Sequence, residues 1–390
     1  MNKDIDLTII SNIMMADGIG RQGAGLLSAL KDKLSINVHQ MQPRSFKDIP
    51  PDILKILVKS FTGWGKVCFH THILGLNKDW IPLHQSIDSK LKISYSMIES
   101  TNIPELWTEI LNNFYDLVVV PDQSLVSVYK NSGVKIPIFV IPLGIFIEHL
   151  LGVPLKDKPG NPFVFGFTSG FWKRKNHTKL LRAFAKEFGN DPSIKLRLHG
   201  RFGPNRNEVE GLVKELNLSN LDFYNTPLSG KDYESFMRDI DCYVAPSSGE
   251  GYSIGAREAV ALGIPSIVAN NTAQQTICNS GFVVPLKSDK RVAAYYEVFN
   301  KNIGSFFDCD QNDLGKLMKE VVNNYDKYLK QVQSGGREWV SQYLWTNLSS
   351  TYYNLVKPTN IVLGNSNLIT PDCFQTNSQK LFNTLRRLND

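Results

Sequence analysis

Short apolar runs recur along this chain, with amphipathic stretches between them. Leu7-Thr8-Ile9-Ile10, Lys66-Val67-Cys68-Phe69, Leu117-Val118-Val119-Val120 and Ile138-Phe139-Val140-Ile141 each read as a buried strand. A glycine loop is expected over 17–25 and a helix over 26–34. The segment Lys156-Asp157-Lys158-Pro159-Gly160-Asn161-Pro162 is polar and rich in Pro and Gly, and reads as a linker. Beyond it the alternation restarts. Strands are expected at 163–167, 195–198, 221–224, near Cys242 and at 266–269, with helices at 176–188, 208–216 and 233–238. Strands alternating with helices predict parallel sheets covered on both faces. The expected architecture is α/β, with two doubly wound Rossmann-like domains facing a central cleft. The expected partition is 1–155, a linker at 156–162, 163–345, and a C-terminal helix returning to the first domain plus an Asn-rich tail over 346–390.

Composition narrows the class. The 390 residues are 42% hydrophobic and 21% charged, with a net charge of +6 spread along the chain. That balance suits anionic ligands or an anionic membrane surface and is too weak for a nucleic-acid partner. The five cysteines are far apart and contain no Cys-x-x-Cys pair, which favours a reducing cytoplasm over a disulfide framework or a zinc site. The N-terminus is charged where a signal peptide needs an apolar core. The longest apolar run, 136–147, carries two prolines and falls short of the about 20 residues a span requires. Peripheral membrane contact stays open. Leu381, Leu385 and Leu388 fall on one helical face of the tail, which suits docking on the same chain or on a partner or membrane.

The most informative stretch is Gly249-Glu250-Gly251-Tyr252-Ser253-Ile254-Gly255-Ala256-Arg257-Glu258-Ala259. A short apolar strand, Asp241-Cys242-Tyr243-Val244-Ala245, precedes it, and Leu262-Gly263-Ile264-Pro265 stops the helix that follows. A strand, a glycine-rich loop and a helix start direct backbone N–H groups and the helix dipole at one place, which suits an anion. Two carboxylates beside that place would repel a bare phosphate, and they suit hydroxyls. A nucleotide-sugar offers both.

These residues resemble a known family. Glu250 to Glu258 is similar to the E-x7-E motif of retaining glycosyltransferases with the GT-B fold, the group 1 or family 4 type. Asp241-Cys242-Tyr243-Val244-Ala245-Pro246-Ser247, Glu258-Ala259-Val260-Ala261-Leu262-Gly263-Ile264-Pro265, and Arg174-Lys175-Asn176 followed by Leu180-Leu181-Arg182-Ala183-Phe184 resemble the motifs around it. Gly18-Ile19-Gly20-Arg21 resembles the family's N-terminal glycine loop. The likeness runs over roughly residues 5 to 350.

The resemblance implies transfer of a sugar from a UDP- or GDP-linked donor to a hydroxyl of a glycan, lipid-linked or protein acceptor, with retention of configuration. It implies that Glu258 holds the ribose hydroxyls and Glu250 the sugar hydroxyls. Backbone N–H groups of Gly251, Tyr252, Ser253 and Ile254 would take the distal phosphate. Lys175 would neutralise the diphosphate, with Arg174 a further catalytic candidate expected to matter less because a neighbouring helix position points elsewhere. Gly18 and Gly20 would approach the diphosphate from the other domain, and Asn225, in Tyr224-Asn225-Thr226-Pro227, would lie at the base. His70, His72 and Glu99 are candidates for the acceptor side.

Plainer readings stand beside these roles. The carboxylates would favour a helix start, Lys173, Arg174, Lys175 and Lys179 would form a solvated basic face, and the glycines would make a tight turn. Many family members carry an Arg five residues before the lysine, and here that position is Gly170. No cofactor and no metal are expected. The Asp-x-Asp pairs at Asp4/Asp6, Asp239/Asp241 and Asp308/Asp310 lie in unsuitable places. Rival functions are a glycogen- or starch-synthase-like transferase, whose Lys-x-Gly-Gly loop is missing, and a non-catalytic nucleotide-sugar-binding protein. A dinucleotide oxidoreductase would match Gly18-x-Gly20-x-x-Gly23 but lacks an acidic residue after a second strand.

Overall fold

The computed structural model describes residues 1–2, 4–15, 18–41, 48–228 and 230–357. The chain forms two compact units. The first contains Met1–Phe146, Val298–Ile303 and the described residues from Tyr343 onward; the second contains Ile147–Glu297 and Gly304–Gln342.

The first unit is built on a six-stranded sheet. Its strands are β1 (Leu7–Ser11), β2 (Ile36–Gln40), β3 (Val67–His70), β4 (Leu91–Tyr95), β5 (Leu117–Val120) and β6 (Ile138–Val140), in the order β2-β1-β3-β4-β5-β6. Every pairing is parallel. β1, β3 and β5 are buried along their whole length, which is why they read as apolar runs. The strand order reverses between β1 and β3.

The expected loop at 17–25 is largely a helix, Gly18–Leu30; Asp17 lies outside the described residues. Its glycines serve close packing. A Cβ on Gly20 would lie 2.2 Å from the Met14 carbonyl oxygen, one on Gly23 2.2 Å from Ser11 Oγ, and one on Gly25 2.0 Å from the Trp345 ring. Trp345 also closes on Gly144, where a Cβ would meet it at 2.3 Å. It opens the helix Trp345–Val356, whose Tyr352 hydroxyl donates to Pro142 O at 2.9 Å. That helix is part of the first unit. The leucine face of the tail lies outside the described residues.

The second unit repeats the architecture. Its strands are β7 (Phe163–Ser169), β8 (Ile194–Gly200), β9 (Leu221–Tyr224), β10 (Cys242–Ala245), β11 (Ser266–Asn270) and β12 (Val284–Lys287), in the order β12-β11-β10-β7-β8-β9, again all parallel. The order reverses between β7 and β10. A two-stranded sheet of β13 (Lys290–Tyr296) and β14 (Lys301–Asp308) follows.

The expected linker is not a linker. The chain passes between units at 146/147, and 156–162 is fastened inside the second. Lys156 Nζ donates to Asp241 Oδ1 at 2.8 Å and to Ile240 O at 2.7 Å, and Gly160 N donates to Asp241 Oδ1 at 3.0 Å. Polar composition suggested solvent, but the fully buried Asp241 requires these donors. The second unit also ends at Gln342 rather than 345, and 298–303 joins the first. No uninterrupted partition of the sequence gives that arrangement. Among the described residues no helix is long and apolar enough to cross a membrane.

Candidate active site

The reversal between β7 and β10 is where an open parallel sheet leaves a crevice beyond its carboxyl ends. The two loops leaving those strands carry the candidate residues. After β7 the chain makes a single tight turn, Lys173–Lys175, and Asn176 follows in the left-handed region at φ 56°, a conformation that Asn tolerates. After β10 the chain runs through Pro246-Ser247-Ser248-Gly249 to Glu250. The loops are joined backbone to backbone, with Ser248 N donating to Arg174 O at 2.7 Å.

Glu250 sits at the centre. Lys175 Nζ donates to its Oε1, and Arg174 Nη1 lies 3.2 Å from its Oε2. Arg174 Nη1 also donates to Gly249 O at 2.8 Å. Burial by itself would push the Glu250 carboxyl up. The charges of Lys175 and then Arg174 outweigh it, and the carboxyl is held down at about 2. The solvated basic face is therefore reduced to Lys173, which is exposed, because Lys179 is also engaged, with Asp308 at 2.6 Å. The expectation that Arg174 points elsewhere is corrected. It shares a carboxylate with Lys175, because a tight turn and the Gly249 carbonyl aim it inward. A side chain at Gly170 would require its neighbours to shift: a Cβ there would lie 2.9 Å from Trp172 Nε1 and 3.2 Å from Phe202 O.

The helix Ile254–Ala261 begins after Ser253, which is left-handed at φ 65°. Gly251 and Tyr252 are buried, while Ser253 and Ile254 are half-buried at the helix start. Gly255 is required by packing, since a Cβ would fall 2.3 Å from Tyr243 Oη. Glu258 is 4% exposed on this helix and accepts from Tyr233 Oη at 2.5 Å. Arg257, fully buried, lies over the Tyr252 ring with its guanidinium carbon 3.7 Å from the centroid and donates to Tyr252 O. That contact holds the loop preceding the helix.

Asn225 follows β9, and its side chain donates to Glu210 Oε1 at 2.9 Å beside the Arg206–Glu210 pair. Its amide is therefore engaged with Glu210. Gly18 and Gly20 belong to the first unit, and contact with Met14 accounts for Gly20. His70 is fully buried, bonded through Nδ1 to Tyr115 Oη at 2.6 Å. Burial first, and neighbouring histidines second, push its pKa well below the usual value. An acceptor-side contact by His70 does not fit a ring enclosed in this way. His72 stacks on Trp80, 6.0 Å between centroids, and Glu99 is half-buried after β4.

Several supporting residues escaped the sequence reading. Asp308 Oδ1 accepts from Asn176 Nδ2 at 3.1 Å and from Ser248 Oγ at 3.2 Å, while its Oδ2 takes Lys179. It thus ties together the two loops that carry Lys175 and Glu250. Thr272 Oγ1 accepts from Glu250 N at 2.9 Å. His199 bonds Thr168 Oγ1 at 2.7 Å and Thr226 O at 3.1 Å, fastening 224–227 to the end of β7. In the sequence Asp308 stands out only as half of an Asp-x-Asp pair. Asp310 of that pair caps the helix Gln311–Asn323, and Asp241 and Asp6 are engaged with Lys156 and Lys66. Among the described residues no group of three or more His, Cys, Asp or Glu could hold a metal ion.

Comparison with known proteins bears on the family and the fold. Residues 155–302 match the family model described as glycosyl transferases group 1. A protein of Sulfolobus islandicus filamentous virus, provisionally named glycosyltransferase 45, is 24% identical over 251 residues. That match spans 62% of this chain and 66% of the viral protein. Among solved structures, Anabaena HepE in complex with UDP-glucose superposes with a TM-score of 0.68 at 14% identity, over 90% of this chain and 99% of HepE. Sucrose-phosphate synthase from Thermosynechococcus elongatus gives 0.66 at 18% identity, over 90% and 98%. A glycosyltransferase from Rickettsia africae gives 0.63 at 15%, over 94% and 100%. The two parallel-sheet units therefore have the GT-B fold, and residues 155–302 carry a group 1 glycosyl transferase domain.

Proposed function

We propose that this chain is a glycosyltransferase that moves a sugar from a UDP- or GDP-linked donor to an acceptor hydroxyl with retention of configuration. The observation that carries this reading is the pairing of half-buried Lys175 and Arg174 with the buried Glu250 at the β7/β10 crossover, with Glu258 on the adjoining helix. Carboxylates bind sugar and ribose hydroxyls through charge-assisted hydrogen bonds. Glu258 would take the ribose, and Glu250 the transferred sugar. Lys175 and Arg174 would face the diphosphate, where negative charge grows as the leaving group departs; fixed cations there lower the barrier. The helix start at 251–254 would hold the distal phosphate, and the backbone of 224–227 would seat the base.

Retention follows if the departing phosphate oxygen takes the acceptor proton on the same face of the sugar. The protein then supplies positioning and electrostatics. The helix start and the cations would take the place of a metal, so the reaction would proceed without one. The acceptor would be a glycan, a lipid-linked sugar or a protein, met in the cytoplasm or at a membrane surface.

The test is a thermal-shift screen with UDP, GDP, ADP and their sugars, followed by a transfer assay. HepE, crystallised with UDP-glucose, makes that compound the first donor to try. A tight ligand raises the melting temperature by mass action. Binding without transfer to any acceptor would favour a sensor over an enzyme. Turnover is expected to survive EDTA, and its loss with recovery on adding manganese would defeat the metal-free mechanism.

A further inference from the structure

We propose that Glu250 selects the intact nucleotide-sugar over the free nucleoside diphosphate, because its carboxylate engages both cations that a diphosphate would need. The proposal rests on the nucleotide-sugar reading and adds to it a discrimination between substrate and product.

The geometry is that of one anion on two cations. Oε1 takes Lys175 Nζ and Oε2 takes Arg174 Nη1, so both carboxylate oxygens are engaged. Glu250 is 7% exposed, and the side chains of Arg174 and Lys175 are each 15% exposed, so solvent screens the cluster weakly. The loop is also fixed in place. Glu250 N donates to Thr272 Oγ1, the Gly249 carbonyl accepts from Arg174, and Ser248 is held by Asp308 and by the Arg174 backbone. An incoming diphosphate cannot displace the loop cheaply. It must draw the cations away from a carboxylate that remains buried, and an ionised carboxylate deprived of its partners is costly.

What the ligand carries beyond the phosphates then decides the outcome. A sugar brings hydroxyl donors that can bond to the carboxylate as the cations turn to the phosphates. A free nucleoside diphosphate brings none. It places another anionic oxygen near Glu250, and like charges face to face oppose binding. Release of the product after transfer would therefore be favoured by the same carboxylate that binds the donor.

The experiment is calorimetric titration of wild type and Glu250→Gln with UDP, GDP, UDP-glucose and inorganic pyrophosphate at pH 7 and fixed ionic strength. Gln keeps the size and removes the charge. The expected result is opposite movement: about tenfold or tighter binding of the free diphosphates, on the scale of relieving one like-charge contact, with equal or weaker binding of the sugar nucleotide. If wild type binds these ligands and Glu250→Gln binds the free diphosphates no more tightly, the proposal is overturned while the nucleotide-sugar reading stands. If wild type binds none of them, both fall. A structure of wild type with a bound nucleoside diphosphate needs no variant. Lys175 Nζ should leave Glu250 for a phosphate oxygen, and persistence of both cation contacts would overturn the proposal equally.

Discussion

The two units share a sheet plan and differ in what they place where the strand order reverses. At the β7/β10 crossover the second unit holds a charged cluster in which Glu250 stays ionised against its burial. At the β1/β3 crossover the first unit holds Ser11 and the buried His70, bonded to Tyr115, which in turn bonds His84. Burial pushes His70 and His84 below the usual histidine range and Tyr115 above the tyrosine range, so all three are neutral. The topology creates a crevice in each unit. At the β7/β10 crossover two cations accompany the buried acid and keep it ionised, whereas the His70–Tyr115–His84 group of the first unit is joined by neutral hydrogen bonds.

The largest expected effect breaks the first unit alone. Trp345→Ala would leave the space that Gly25 and Gly144 keep open for the ring, and should cost about 3–5 kcal/mol of stability. Denaturant unfolding measures it. Nucleotide affinity of the folded protein should change little, since the candidate site belongs to the other unit. Equal loss of both would show that the units cannot be treated separately.

Next is Lys175→Ala, expected to lower kcat by at least about 100-fold, the scale of removing one transition-state donor. Arg174→Ala should now cost a comparable amount, because both cations meet one carboxylate. If both substitutions leave turnover within a few fold, the cluster is structural.

Glu258→Ala should weaken the best nucleotide by about 10- to 100-fold, the range of a charge-assisted hydrogen bond, with far-ultraviolet circular dichroism unchanged. Unchanged affinity by calorimetry would remove Glu258 from the site and leave Tyr233 as its purpose.

The smallest effect concerns pH and separates two kinds of buried group within the second unit. Glu250 is held at about 2 when folded against an ordinary value of 4.5. Its pairing stabilises the fold fully above about 4.5, and that contribution is lost as pH falls towards 2, because the unfolded chain takes up the proton first. Histidines give a different window. His177 is pushed down to about 3 and His199 to about 4, chiefly by burial, so they favour the fold above about 6.5 and lose that contribution as pH falls below it. Unfolding measured from pH 7 to 3 should therefore show wild type and Glu250→Gln running parallel down to about 4.5 and converging only below it. The histidines are common to both proteins and cancel in the difference, so a gap that stays constant down to pH 3 would leave Glu250 without a stabilising partner.

Much of the second unit was legible in the sequence because its signals are local. β10 is a short apolar run, and Cys242 to Glu258 is one uninterrupted strand-loop-helix passage. The edge strand β2 was harder to read, since Ile36-Asn37-Val38-His39-Gln40 offers only two apolar residues on a half-covered edge. The glycines at 18–25 misled for a physical reason. Glycine weakens a helix by about 1 kcal/mol, but here close contact with Met14, Ser11 and Trp345 outweighs that preference.

The sequence by itself determined two parallel α/β sheets, the motif loop, and the pairing of acidic and basic residues with a helix start. Those follow from periodicity and from neighbours along the chain. Only the tertiary structure decided that Lys175 and Arg174 converge on Glu250, 75 and 76 positions away. It also decided that Asp308 joins their two loops, that Lys156 is fastened to Asp241, and that residues 298–303 leave the second unit for the first. Such contacts depend on which strands become neighbours in the sheet. β7 and β10 meet at a reversal of strand order, which no local pattern of residues records.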